Sequence, residues 1–311
     1  MLTGVVSSRK STAGTHCASA ERQPHWTSIL ADYWTLTKPE VNFLIVMTSV
    51  AGFYVGSLPP PWRVLPLLHT LFGTLLVASG TGTLNQYIER NFDAIMRRTA
   101  KRPLPAARIH AHHALWFGIC LAVAGGLWLA AFVNHLASAI AILTLLTYLL
   151  CYTPLKRKTP LCTLVGAFPG AAPPLIGCAA AHGSVNRDGW LLYAILFFWQ
   201  FPHFMAIAWM YREDYARAGY LTLPRNGTRA RFMAWQTLIF SFALIPATVL
   251  PFWLSQAEPV DFALGLLSTL AFVFYSVRLA RFQTNRAARR LLFASIVYLP
   301  VALIVITVAV R

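Results

Sequence analysis

Long apolar runs separated by short basic segments set the pattern of this chain. Nine stretches free of charged residues approach or exceed the roughly 20 residues that a membrane-crossing helix needs. They are 41–57, 65–84, 114–133, 136–153, 161–181, 189–211, 232–254, 262–277 and 291–310. A helix half-buried in a water-soluble core carries polar residues at helical period, and these runs do not. The first and eighth runs are short, so their helices are expected to extend into flanking polar residues. The pattern predicts an all-α polytopic membrane protein with nine transmembrane helices.

The segments between the runs alternate in charge. Of the 26 Lys and Arg residues, 23 fall before the first run or after the second, fourth, sixth and eighth; only Arg63, Arg187 and Arg311 fall on the other side. Basic residues in short loops mark the cytoplasmic face. The N-terminus is therefore expected inside and the C-terminus outside, in keeping with an odd number of spans. Residues 1–30 are expected to form a polar cytoplasmic tail and 31–311 the membrane domain. The first 25 residues lack the apolar core of a secretory signal. Their Ser and Thr content leaves a mitochondrial transit peptide as the alternative to a cytoplasmic tail, and the mitochondrial inner membrane as the alternative to a bacterial inner membrane.

Composition narrows the function classes. With 57% hydrophobic and 12% charged residues, the chain is unlike a soluble enzyme, a disordered protein or a nucleic-acid-binding module. The net charge of +16 reflects topology, so no nucleic-acid partner is expected. Five cysteines form no CxxC pair, which argues against a disulfide framework or a zinc site.

The chain has only ten acids, and four of them, Glu89, Asp93, Glu213 and Asp214, lie at the predicted cytoplasmic ends of spans two and six. Asn85, Glu89 and Asp93 are spaced i, i+4, i+8. On a helix continuing span two they share one face, within about 80° of arc. Such a row offers hard oxygen donors suited to Mg²⁺ bridged to a phosphate. The following Met96-Arg-Arg-Thr-Ala-Lys-Arg-Pro-Leu-Pro supplies Arg97, Arg98, Lys101 and Arg102, which suit a diphosphate clamp. An ordinary cytoplasmic loop explains these cations but not the acid row. The second cluster, Tyr211-Arg-Glu-Asp-Tyr-Ala-Arg-Ala-Gly-Tyr, carries Arg212, Glu213 and Asp214. An even number of crossings returns it to the same face as the first, so the two clusters can converge over one pocket mouth. Lys156 and Arg157, in Tyr152-Thr-Pro-Leu-Lys-Arg, are further phosphate candidates. His203, in Trp199-Gln-Phe-Pro-His-Phe, is intramembrane and thus a functional candidate, either as a haem-iron ligand or as a carboxylate partner; a packing histidine is an equal alternative. Tyr148, Trp199 and Phe204 are candidates to shield a carbocation with their ring faces. The Gly- and Pro-rich stretch 166–174 reads as a pocket wall.

These motifs resemble the UbiA-type intramembrane prenyltransferases. The Arg98-Thr-x-x-Arg-Pro-Leu-Pro segment, Tyr152-Thr-Pro-Leu-Lys-Arg-x-Thr, the Gly170-Ala-Ala-Pro-Pro stretch and Trp199-Gln-x-Pro-His-Phe are similar to the haem-farnesylating branch of that superfamily, the haem O synthases. The resemblance covers about residues 80–225. It implies a helix bundle around a central cavity, with Mg²⁺ at the cytoplasmic mouth. The implied reaction transfers the farnesyl group of farnesyl diphosphate to a vinyl group of haem B, and water then completes haem O. The implied partners are farnesyl diphosphate, haem B, the lipid bilayer, and haem A synthase or terminal-oxidase assembly downstream. By the resemblance Asn85, Glu89 and Asp93 take metal and diphosphate roles, joined by Asp214 and Glu213. Arg98, Lys101, Arg102, Lys156 and Arg212 become diphosphate contacts. Glu89 and Asn91 depart from the Asp common at both positions: Glu moves the carboxylate outward by a methylene, and Asn91 loses a charge. Two other readings stay open at this stage: prenylation of an aromatic quinone precursor, and a non-catalytic transporter or haem-binding protein. Transport would favour acids buried in mid-span, and the sequence has none.

Overall fold

The structure, a computed structural model, describes residues 26–58, 63–224, 227–255 and 258–309. Residues 1–25 of the expected tail 1–30, with Arg9, Lys10 and Arg22, lie outside the described residues, as do Arg225 and Arg311. The described chain is helical, with no strand. In order come α1 (Trp26–Leu36), α2 (Pro39–Gly56), α3 (Val64–Asp93), α4 (Ala111–Phe132), α5 (His135–Leu146), a π-helical stretch (Thr147–Tyr152), α6 (Thr153–Leu155), α7 (Cys162–Ala171), α8 (Pro173–His182), α9 (Arg187–Met210), α10 (Arg212–Arg217), α11 (Arg229–Ser255), α12 (Pro259–Phe282) and α13 (Asn285–Ala309).

Among the described residues nine helical segments are long and apolar enough to cross a membrane, one for each apolar run. The first and eighth do extend into polar flanks, to Pro39–Gly56 and Pro259–Phe282. The fourth span joins α5, the π-helical stretch and α6. The fifth joins α7 and α8 across Ala172, where Pro173 opens the second helix. Large apolar side chains such as Phe43, Leu143 and Phe293 point outward, as a lipid-facing surface requires.

Hydrogen bonds sort the two ends of the bundle. At one end the segment after α3 meets α10, the backbone N–H of Leu221 donates to Lys156 O at 2.7 Å, and Arg212 donates to Asn285 Oδ1 at 2.8 Å. The four basic connections expected on one face are therefore together. At the other end Asn134 caps α5 and donates to Ala179 O, and Asn186 caps α9 and donates to Val55 O.

Helix α1 begins at Trp26, inside the stretch expected as a tail. Its Trp26, Leu30 and Trp34 stand four residues apart, a helical stripe that remains exposed. Arg108 holds the helix at the basic end by a fork on the Asp32 carboxylate at 2.8–3.0 Å.

Helices α2 and α8 touch backbone to backbone. A Cβ at Gly52 would lie 2.0 Å from Pro174 O, and one at Gly177 would lie 2.0 Å from Ser49 O. Small residues allow this approach in a bilayer, where association depends on close packing. The small-residue stretch of span five thus serves helix contact here, where the sequence reads as a pocket wall.

Candidate active site

The 30-residue α3 continues past its apolar run, so its last turns carry Asn85, Glu89 and Asp93 on one face. All three are buried. Each oxygen is met by a cation from a different segment. Lys38 Nζ donates to Asn85 Oδ1 at 2.7 Å, Lys156 Nζ to Glu89 Oε1 at 2.8 Å, and Arg102 Nη1 to Asp93 Oδ2 at 2.7 Å. Thr99 donates to the Asp93 carbonyl at 2.9 Å, which folds the Arg-rich segment back onto the row.

The π-helical stretch delivers two of these contacts. One extra residue per turn is a local distortion often seen at functional sites. Here Thr153 Oγ1 donates to Tyr148 O at 2.9 Å and accepts from Asn85 Nδ2 at 3.3 Å. The next turn brings Lys156 over the Tyr152 ring at 4.6 Å and onto Glu89.

The two lysines differ in their charge environment. Burial opposes the Lys156 ammonium, but the adjoining Glu89 prevails and holds it well above the ordinary lysine range. At Lys38 burial dominates, reinforced by the charge of Arg102, and brings the ammonium down to about 7. Lys38 also sits in the left-handed region, φ 54° and ψ 62°, immediately before Pro39. For a non-glycine residue that conformation costs about 1–2 kcal/mol, and a following proline disfavours it further.

The second cluster reaches the first through its tyrosines. The Arg98 guanidinium lies 5.0 Å from the Tyr211 ring centre, and its Nη2 is 3.4 Å from the Tyr215 hydroxyl. Met96, Ala218 and Tyr220 form a buried cluster against Phe92 and Tyr215. Burial, with Glu89 nearby, pushes the Tyr220 hydroxyl above its ordinary range. Arg157 lies over Phe92 at 4.3 Å.

The second-cluster acids stand apart from the row. Asp214 is held by Arg217, three residues on, and Glu213 points to solvent with 86% of its side chain exposed. Among the described residues no three His, Cys, Asp or Glu side chains gather closely enough to hold a metal. The oxygen set brought together is thus Asn85, Glu89 and Asp93, where the sequence suggested two facing carboxylate groups; the i, i+3 arginine takes the Asp214 charge locally. Arg97 and Lys101 are exposed on the 94–110 segment, and the Lys101 contact is a carbonyl accepting from Arg108. Two partners of the row, Lys38 and Thr153, were not among the candidates from the sequence, nor was Tyr220, which lies near Glu89.

Residues 44–297 match the UbiA prenyltransferase family. The chain belongs to this family. A protoheme IX farnesyltransferase of Solibacter usitatus is 47% identical over 282 residues, covering 87% of this chain and 96% of that protein. A mitochondrial protoheme IX farnesyltransferase of Arabidopsis thaliana is 36% identical, covering 86% of this chain and 62% of that protein. Among solved structures, a digeranylgeranylglyceryl phosphate synthase superposes with a TM-score of 0.72 at 18% identity, covering 91% of this chain and 99% of the other. A UbiA homologue of Archaeoglobus fulgidus bound to DMAPP and Mg²⁺ gives 0.63 at 16% identity, covering 89% and 99%. At these identities the solved structures establish the shared bundle.

In this UbiA-family bundle His203 lies seven residues before the end of α9, roughly 10 Å along the helix from its basic end. Its ring stacks on Trp199 at 4.9 Å, and its Nδ1 is 2.7 Å from Ser295 Oγ. Ser295 has one hydroxyl proton and donates it to Leu292 O at 2.6 Å. His203 therefore supplies the proton of the Nδ1 bond, and its Nε2 keeps a lone pair. Trp199 Nε1 fixes the same turn of α13 by donating to Ser295 O at 3.0 Å.

Proposed function

We propose that this prenyltransferase moves the farnesyl group of farnesyl diphosphate to a vinyl group of haem B, with diphosphate leaving and water completing the side chain of haem O. The observation that carries the reading is the buried row Asn85–Glu89–Asp93, ringed by Lys156 and Arg102 at the basic mouth of an apolar bundle. The relatives named protoheme IX farnesyltransferase support the acceptor, and the DMAPP- and Mg²⁺-bound homologue supports the donor.

The hard-oxygen row fits Mg²⁺. Asn85, Glu89 and Asp93 would hold it, with Asp214 and Glu213 as further carboxylates once freed from their arginines. When bound, the metal neutralises charge building on the leaving diphosphate. The protein contributes the rest. Arg98, Arg102, Lys156, Arg157 and Arg212 bind phosphate oxygens; Arg97 and Lys101 raise the positive potential that draws the anion in. The apolar helices take the isoprenoid chain out of water. The rings of Tyr148, Trp199 and Phe204 face electron density towards the allylic cation. His203 Nε2 would bind the haem iron and so hold the acceptor in place. The basic end faces the cytoplasm, with residues 1–30 on that side, in the inner membrane of a bacterium.

Purified protein given farnesyl diphosphate, Mg²⁺ and either haem B or 4-hydroxybenzoate tests the acceptor. Mass analysis is expected to show haem O; conversion of the benzoate alone would overturn the assignment. Haem ligation has its own readout. Haem bound to the intact protein is expected to show an imidazole-ligated Soret band, which His203→Ala loses. Ser295→Ala frees the tautomer and is expected to weaken haem binding by about tenfold. Identical spectra in all three proteins would remove His203 from the site.

A further inference from the structure

Lys38 is the one cation on the row without an anion. Lys156 has Glu89 and Arg102 has Asp93, whereas no carboxylate among the described residues lies within ion-pair reach of Lys38. Its single hydrogen bond goes to the neutral amide oxygen of Asn85 at 2.7 Å. An ammonium has three N–H donors, so two are left to offer at a partly buried position.

The backbone is built to put it there. Lys38 is held in a left-handed conformation at the junction of α1 and α2. Its stem crosses α3 at Gly82, one turn before Asn85; a Cβ at Gly82 would meet Lys38 Cδ at 3.4 Å. A Cβ there would make only ordinary contact, so it takes a larger side chain to close that track. In sequence Lys38 reads as one more cytoplasmic marker, and it lies outside the residues 44–297 that match the family.

A partly buried cation without a counter-charge is costly unless an anion arrives. We propose that Lys38 is a diphosphate ligand: its ammonium leaves Asn85 Oδ1 for a phosphate oxygen of the prenyl diphosphate, freeing that amide oxygen for the metal. The proposal rests on the prenyl-diphosphate reading above and adds a binding group from the N-terminal junction.

The test uses the full chain in detergent, with saturating Mg²⁺ and either inorganic diphosphate or the non-reacting farnesyl thiolodiphosphate, followed by calorimetry. Wild type is measured first; absence of binding there defeats the donor assignment rather than the role of Lys38. Lys38→Gly relieves the left-handed strain, so its melting temperature is expected to equal or exceed that of wild type. Its affinity for both ligands is expected to fall roughly tenfold to a hundredfold, in line with a lost charge-assisted hydrogen bond. Lys38→Met keeps the stem and is expected to show the same loss. Lys38→Arg, which keeps the charge, is expected to stay within about threefold. Gly82→Leu fills the track of the stem and is expected to reproduce the loss with every charge intact. Undiminished affinity in Lys38→Gly and Lys38→Met overturns the proposal. Full recovery of affinity in both variants when Mg²⁺ is raised above the level that saturates wild type also overturns it, because Lys38 would then only prop Asn85.

Discussion

Asp93→Asn is expected to lower turnover on the order of 10²–10³-fold while leaving the bundle folded. Asp93 is buried, receives Arg102 at 2.7 Å, and ends the row Asn85–Glu89–Asp93. The asparagine keeps the volume and one acceptor for Arg102, so packing is preserved while the charge that the metal needs is lost. Glu89→Gln is expected to behave alike, since Lys156 can still donate to the amide oxygen. The loss should fall on turnover with saturating farnesyl diphosphate, and raising Mg²⁺ should recover part of it. Wild-type turnover in Asp93→Asn, with an unchanged melting temperature, would remove the row from the chemistry.

The second large effect is structural. Gly52→Val is expected to destabilise the bundle by about 3 kcal/mol or more, the upper end of the range for overpacking. Even the first added carbon would sit 2.0 Å from Pro174 O and 2.6 Å from Pro174 Cα. Those atoms are backbone, fixed within a proline pair, and cannot turn aside as a side chain would. Thermal unfolding in detergent should show a large drop, or no folded protein. Gly227→Ala is the contrast: a Cβ there meets nothing within 4 Å, and no more than a small change is expected. Equal melting temperatures for the two variants would mean that the α2–α8 contact is looser than its geometry.

The spans were legible because nine charge-free runs leave little ambiguity, and the row was legible because i, i+4, i+8 spacing is a property of one helix. Phosphate candidates in the basic connections were also visible as charge, although composition did not separate Arg102, which meets Asp93, from Lys101, which does not. What stayed hidden depends on the fold. Lys38 reaches Asn85 across 47 residues and His203 reaches Ser295 across 92; no local pattern encodes either pair. The π-helical stretch lies within an apolar run and leaves no mark in it. Two features had signals that went unused. The four-residue spacing of Trp26, Leu30 and Trp34 announces α1, and the i, i+3 spacing of Asp214 and Arg217 announces their bond.

The tight contact between α2 and α8 has a consequence at the mouth of the bundle. Helix α2 starts at the residue after Lys38, so the lysine rides on the tip of a rigid strut pinned at Gly52, roughly 20 Å away. Rocking that strut by about 5° would carry the tip by about 2 Å, and misplacements of about 1 Å already cost rate in well-ordered sites. The Gly52–Pro174 contact therefore fixes where Lys38 stands, and loosening it by substitution is expected to displace the lysine from Asn85.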